Sequence, residues 1–461
     1  MAHGAAATPG RASQAGAKPP IPRIIKRNTI LVAASQVCSG MGTGLLPTLG
    51  ALMVYRMLGS TAMAGSAAVL QGISRFVVAY PAGAIADRYG RKPAMVAGLL
   101  VGIAGSLVTG TAMAISSFPL LMLGVFIFAI AMGGSMQLRV AATDMYPASR
   151  RAEGLGYILT GSVVGSLGKA GLIALASVLA VRVGVDAFAL AWWMVPIVLV
   201  PALLLVLQIH PDPRDIALDL EQYWGSGAGS PAGHRHAPTE AEGRSGVTQP
   251  ASPDTPPGGS FRAYVKDFRK LAIFMAHFGV QGNMSMVMVV AALLLTHHGH
   301  ELPAIAFSSM LHSLGMHAFA IPQGWMADRI GRRPVILAGL VLAAVGTILL
   351  VATPDFWVTT AGFFFVGFGW SAVHVAGTVL LADISAATER GRVIGANDTF
   401  GAAANIVMAI LAGPVLEGLG TTPIMALGVG LMLAPIVMIL RMREVDHEDA
   451  ARLTMALAAG E

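Results

Sequence analysis

PAGAIADRYGRKP at residues 81–93 and PQGWMADRIGRRP at residues 322–334 are two copies of one pattern within a single chain of 461 residues. A second pair follows in the same order, DMYPASRRAEGLG at 144–156 and DISAATERGRVIG at 383–395. The chain is therefore an internal repeat, and the reading of these stretches decides its architecture. Around them 55% of the residues are hydrophobic and 12% charged. A soluble domain carries roughly 25% charged residues, so the class indicated is a polytopic helical membrane protein. The single cysteine, Cys38, excludes an internal disulfide and cysteine-based metal spacing.

Apolar runs of spanning length, about 20 residues each, fall at 28–55, 62–86, 93–114, 118–142, 155–181 and 187–208, and again at 271–296, 303–327, 334–353, 356–382, 394–416 and 422–441. These predict a basic arm at 1–27, a six-helix bundle at 28–209, a linker at 210–270, a second bundle at 271–442 and a tail at 443–461. The middle of the linker, rich in Pro, Gly, Ser and charge, reads as disordered. Its ends, RDIALDLEQYW and FRAYVKDFRK, read as short amphipathic helices at the membrane surface. An even number of spans separates the two copies of each motif, so both lie on one face, as in parallel repeats about an axis along the membrane normal. Counting Lys and Arg by loop places 25 on the face of the termini and 2, Arg56 and Arg182, on the other. The positive-inside rule makes the first face cytoplasmic. The net charge of +6 thus follows from topology and does not point to nucleic acid.

In both copies the motif fits G-x-x-x-D-R-x-G-R-[RK]: Gly83, Asp87, Arg88, Gly90, Arg91 and Lys92, then Gly324, Asp328, Arg329, Gly331, Arg332 and Arg333. This resembles the loop between the second and third spans of the major facilitator superfamily of secondary transporters. The resemblance covers about residues 28–442. It implies twelve transmembrane helices in two six-helix bundles that rock about a central cavity. It also implies that the loop aspartate and second arginine help lock the bundles in one state. Asp144 and Asp383 are the partners expected for Arg91 and Arg332, since carboxylates at a neighbouring helix end suit charge-assisted bonds. The chain departs from drug-exporting relatives in lacking a charge over 118–134 and a Gly-Pro pair in the fifth span; Gly413-Pro414 lies in the eleventh instead.

Spans three, six, nine and twelve hold no charged residue or histidine apart from Arg441 at the very end of the twelfth, whereas spans two, four, five, seven, eight, ten and eleven carry Arg75, Arg139, Lys169, His277, His312, His317, His374 and Asp398. An ionisable group facing lipid costs at least ~2.5 kcal/mol, so these must face protein or a water-filled cavity. The N-half offers cations, and Gln281, Asn283, Asn397 and Asn405 add neutral hydrogen-bonding groups. The substrate cavity is accordingly assigned to Arg75, Arg139, Lys169, Gln281, Asn283 and Asn397, favouring an anionic or acceptor-rich solute. Arg139 has a second reading as a partner of Asp144, and Lys169 lies on a glycine face suited to close packing. Proton coupling is assigned to His317 first, then His312, His277, His374 and Asp398, because imidazole titrates near neutral pH.

The function expected is a proton-coupled transporter of a small organic solute in a bacterial inner membrane, with both termini cytoplasmic, acting as a monomer without cofactor, and with export placed ahead of uptake. Uptake of an organic anion is the alternative. From other classes come a transporter-like sensor and a membrane enzyme with a histidine-bound metal. The HHGH tract at 297–300 is the only local support for the last, and clustered ligands are otherwise missing from the sequence.

Overall fold

The computed structural model describes residues 20–147, 150–225, 261–385 and 389–442. Among these every regular element is a helix. The arm before residue 20 and the linker between 226 and 260, both expected to be disordered, and the tail after 442 lie outside the described residues. The N-half contains α1 (Arg23–Thr43), α2 (Leu45–Leu58), α3 (Ser66–Tyr89), α4 (Arg91–Ala114), α5 (Phe118–Asp144), α6 (Arg151–Val183), α7 (Ala187–Trp193) and α8 (Val195–Leu207). Short helices α9 (Pro213–Leu218), α10 (Leu220–Trp224) and α11 (Phe261–Lys266) flank the linker. The C-half contains α12 (Phe268–His297), α13 (Leu302–His317), α14 (Ala320–Ile330), α15 (Arg332–Ala352), α16 (Phe356–Asp383), α17 (Arg390–Leu419) and α18 (Thr421–Arg441).

Eleven spans, counting α1–α2, α7–α8 and α13–α14 as one each, are long and apolar enough to cross a membrane. The twelfth is α3, 24 residues long. The first helix begins at Arg23, before the apolar run at 28, because helical structure continues through the basic turn while hydropathy registers only the apolar part. Three spans are broken, and each break precedes a proline: Pro47 after Gly44, Pro196 after Met194 and Pro322 after the turn at Ala318–Phe319. Proline has no N–H and its ring collides with the carbonyl four residues back, which interrupts the ladder.

The halves repeat one packing scheme. In the N-half α1 packs on α6, α4 on α5 and α3 on α5; in the C-half α12 packs on α17, α15 on α16 and α13 on α16. Between the halves α6 packs on α13 and α3 on α17, a pair of contacts that exchange under the same two-fold relation. Contact is uneven along the axis. The half-helix α2 packs on α12 and α13, whereas α1 packs on α5, α6 and α8 of its own half, and α14 packs on α15 and α16 of its own. The molecule is thus joined on the side away from the termini and splayed towards the face where the chain enters and leaves, called here the terminal face.

Candidate functional site between the halves

Lys169 stands mid-helix on α6 and is 3% exposed. Its Nζ donates to Ser309 O at 3.2 Å, Ser309 Oγ at 3.2 Å and Ser313 Oγ at 2.7 Å, all on α13 of the other half. Thr48 Oγ1 on α2 meets Ser309 Oγ at 2.8 Å and donates to Gly44 O at 2.9 Å. A Cβ at Gly44 would lie 2.7 Å from Lys169 Cδ, so a larger residue at the break between α1 and α2 would have to displace this side chain. The lysine read from the sequence as lining a cavity is instead enclosed by three serine oxygens.

His317 is the last residue of α13, at the break. Its Nδ1 donates to Ser313 O at 2.9 Å, since a carbonyl only accepts; its Nε2 has no partner among the described residues. Arg139, Lys169 and His374 all stand within electrostatic range of His317. Arg139, on α5, has no hydrogen-bond or ion-pair partner among the described residues, because Asp144 is engaged by Arg91. His317 and His374 of the other half lie within its electrostatic range. Behind them His374 stacks on Trp370 with centroids 4.8 Å apart, His277 lies 5.4 Å from His374, and Trp370 Nε1 donates to Gln281 Oε1 at 2.7 Å. The structure therefore brings together Arg139, His317, His374, His277 and Gln281 from the sequence-based set.

Others are placed elsewhere. Asn283 is fully buried within the C-half, accepting from Thr347 Oγ1 of α15 at 3.0 Å and abutting Gly428 of α18. This corrects its cavity assignment: an amide midway along a span finds its partners in the helix ring as well as in a cavity. His312 donates from Nδ1 to Phe363 O at 2.7 Å and stacks on the Phe363 ring at 4.2 Å, which makes it a packed group of the C-half. Asn397 is 2% exposed and Asp398 is exposed, both on the terminal side of α17. The side chains of Arg75 and Asp87, and Gly83, lie outside the described residues.

In the loop motifs, Arg91 Nε donates to Asp144 Oδ2 at 2.9 Å, and Arg332 Nε stands 3.2 Å from Asp383 Oδ2. Each pair stays within its own half, so neither bridges the halves in this state. Arg88 and Arg329 lie against the rings of Tyr89 and Trp325. Gly324 sits on α14, near Val375 of α16.

The far side is closed by groups that sequence reasoning did not single out. Glu417 Oε2, at the end of α17, accepts from Ser60 Oγ at 3.0 Å, Thr61 Oγ1 at 2.8 Å and Ala62 N at 2.6 Å. Tyr55 Oη meets His297 Nε2 at 3.2 Å, while His300 packs on Phe356, so the HHGH tract is spread over different partners. A void of about 10 Å³ between Thr48, Ser309 and Phe363 has room for one water at most. Ser309 and Ser313 do carry a sequence signal: spaced four apart and leading to His317, they share its helix face. Glu417 carries none, as one carboxylate at a span end looks like any loop charge.

The sequence profile of the Major Facilitator Superfamily matches residues 32–256 and 273–456. The uncharacterized MFS-type transporter YdeG of Bacillus subtilis (strain 168) is 24% identical over 90% of this chain and 92% of its own length. The riboflavin transporter RfnT of Brucella anthropi is 22% identical over 90% of this chain and 96% of its own. Among solved structures, the inward-open xylose transporter XylE from E. coli superposes with a TM-score of 0.67 at 15% identity, covering 94% of this chain and 99% of that one. The human organic anion transporter MFSD10 (TETRAN) gives 0.59 at 17% identity, covering 92% and 100%. With the repeated loop motif, the two-fold packing of six and six spans and a profile match across both halves, this chain belongs to the Major Facilitator Superfamily and is an integral, multi-pass membrane transporter of small solutes.

Proposed function

We propose that the protein is a proton-coupled carrier of a small, planar, anionic or acceptor-rich organic solute. The reading rests above all on Arg139: a cation without a carboxylate partner among the described residues, with His317 and His374 of the other half in its electrostatic range beside the Trp370–Gln281 pair. Uncompensated positive charge in a low-dielectric gap attracts an anion, and stacked rings with an amide suit a flat solute with acceptor atoms. Riboflavin, carried by the relative RfnT, is an acceptor-rich solute, and the fold neighbour MFSD10 carries organic anions. His317 serves proton exchange, because its Nδ1 is fixed on Ser313 while Nε2 is left for the cavity. The terminal face is taken as the cytoplasmic face of a bacterial inner membrane from the distribution of Lys and Arg.

Riboflavin and a panel of aromatic carboxylates, tested as stabilisers of the purified protein, check the solute class, because a ligand that binds the native state raises its apparent stability. Arg139→Gln should weaken an anionic ligand by about 1.5–3 kcal/mol, the cost of a lost charged hydrogen bond, and a neutral one little. Equal loss for both would assign Arg139 to packing. In proteoliposomes His317→Gln should spare solute exchange and abolish accumulation driven by a pH gradient. The sign of the gradient that drives accumulation in vesicles of known orientation gives the direction of transport.

A further inference from the structure

We infer that the far side of the carrier is sealed by backbone packed on backbone, where Gly65 of the N-half meets α17 and Gly413 of the C-half meets the turn before α3, and that these two glycines decide whether that side can close. The seal is separate from the solute site and the proton site proposed above.

It is built along one row of α17. Ala409, Gly413 and Glu417 follow at intervals of four and so share a face of the helix. The turn from Ser60 to Gly65, which joins α2 to α3, lies along that row in the opposite direction. Glu417 Oε2 holds the start of the turn, accepting from Ser60 Oγ, Thr61 Oγ1 and Ala62 N. One helical turn away, the carbonyls of Thr61 and Ala62 rest on Gly413: a Cβ there would collide with Thr61 O and lie 2.6 Å from Ala62 O. A further turn along, Gly65 rests on Ala409, where a Cβ would collide with Ala409 O and lie 2.9 Å from the carbonyl carbon. These are backbone atoms, which cannot swing aside as the tip of a side chain can.

Among the described glycines one other, Gly72, would meet the opposite half through a Cβ, and there the nearest atom is the side-chain carbon Ile406 Cγ1 at 2.8 Å. The remaining tightly packed glycines press on their own half and move with it. Local structure gives neither Gly65 nor Gly413 another reason to be glycine. Gly65 has φ −70° and ψ −15°, a conformation open to most residues. Gly413 stands inside α17, where alanine is the better helix former. The requirement therefore arises only while the halves are together on this side. In a state parted here an added methyl meets no carbonyl, so alanine penalises the closed state alone and shifts the population towards the open one.

The test is conformational and needs no solute. Nitroxide labels at the exposed positions Val183 and Leu419, at the far ends of α6 and α17, report the separation of the halves in lipid nanodiscs, with Cys38 replaced. The otherwise wild-type chain should show mainly the short distance. Gly65→Ala and Gly413→Ala should each lower the ratio of short- to long-distance populations by about tenfold or more, because overpacking against atoms that cannot yield strains one state only. Gly72→Ala, which meets a side chain, should lower it less. Gly413→Ala should also undo the clasp of Glu417, so that adding Glu417→Gln to it changes the distribution no further, although Glu417→Gln alone shifts it. Both alanine variants should assemble as the wild type does, since each suits its local backbone. A wild-type distribution in either of them, an equal shift in Gly72→Ala, or a Glu417→Gln shift that adds in full to that of Gly413→Ala overturns the proposal. So does a variant that fails to assemble, which would assign its glycine to folding of the bundle.

Discussion

The two copies of the loop motif share their glycines, aspartate and first two arginines but are held differently. In the N-half Arg91 makes an aligned hydrogen bond to Asp144, with the side chains 16% and 23% exposed. In the C-half Arg332 has Asp383 at 3.2 Å and Asp328 at 3.4 Å, its Nε forms no aligned hydrogen bond, and Asp383 is 48% exposed. Both copies cap the last helix of their bundle, Lys92 on Leu207 O and Ile209 O, and Arg333 on Ile439 O and Leu440 O. Among the described residues, only the N-terminal copy has a carboxylate seated on the backbone N–H groups after its turn glycine. The Asp212 carboxylate, at the start of the linker, accepts from the backbone N–H of Arg91 at 3.0 Å and of Lys92 at 2.9 Å, satisfying the open end of α4. A repeated motif thus fixes which groups are available, and the segment packed against it fixes how tightly they are held.

The sharpest way to break this comparison is at the turn glycines. Gly90 has φ 106° and ψ 163°, and Gly331 has φ 97° and ψ 155°, a region open essentially to glycine alone at a cost of about 1–3 kcal/mol for other residues. Gly90→Ala should be the more harmful, because its Cβ would also lie 2.7 Å from Asp212 Oδ2. Thermal unfolding in detergent that shows Gly331→Ala to be equally costly would mean that Asp212 yields freely.

Next in size is the carboxylate exchange. Asp144→Asn should cost about 1.5–3 kcal/mol as a charged hydrogen bond is lost, whereas Asp383→Asn should cost no more than about 1 kcal/mol, as for exposed pairs. Denaturation of the two variants side by side checks the ratio, and reversal of the order would contradict the asymmetry. Asp212→Ala should cost about 1 kcal/mol, the usual worth of a helix-end cap; unchanged stability would show that water replaces the carboxylate. Smallest is the effect of salt. Raising ionic strength should weaken the Arg332 cluster more than the Arg91 pair, since screening acts on exposed charges, and the stability gap between the two aspartate variants should widen.

The latch function expected of these loops is sharpened by the same comparison. Both ion pairs lie inside single halves here, while among the described residues the bonds across the halves are those of Lys169, Thr48, Tyr55 and Glu417. Glu417→Gln should therefore enlarge the population open on the far side, measured as the distance between spin labels at the exposed positions Val183 and Leu419, whereas Asp383→Asn should leave it unchanged. Equal shifts would restore a bridging role to the loop.

The twelve spans, the six-and-six division, the repeat and the pairing of Arg91 with Asp144 were all legible in the chain itself. Apolar length, loop charge and repeated glycine and aspartate are local properties that a membrane translates directly into topology. The conformational state was not legible, nor was the company kept by each buried polar group. Asn283, mid-span and polar, reads like Gln281, yet one faces Thr347 inside the helix ring and the other Trp370. Lys169 reads as a free cavity cation, yet its three protons are met by serines about 140 residues away. Glu417 reads as a loop charge and proves to clasp the first outer turn. A span's sequence shows that a polar group must be satisfied, because lipid offers it nothing; which partner satisfies it depends on the rotation of each helix and on which face of the molecule is closed, and those are decided only when the two halves pack.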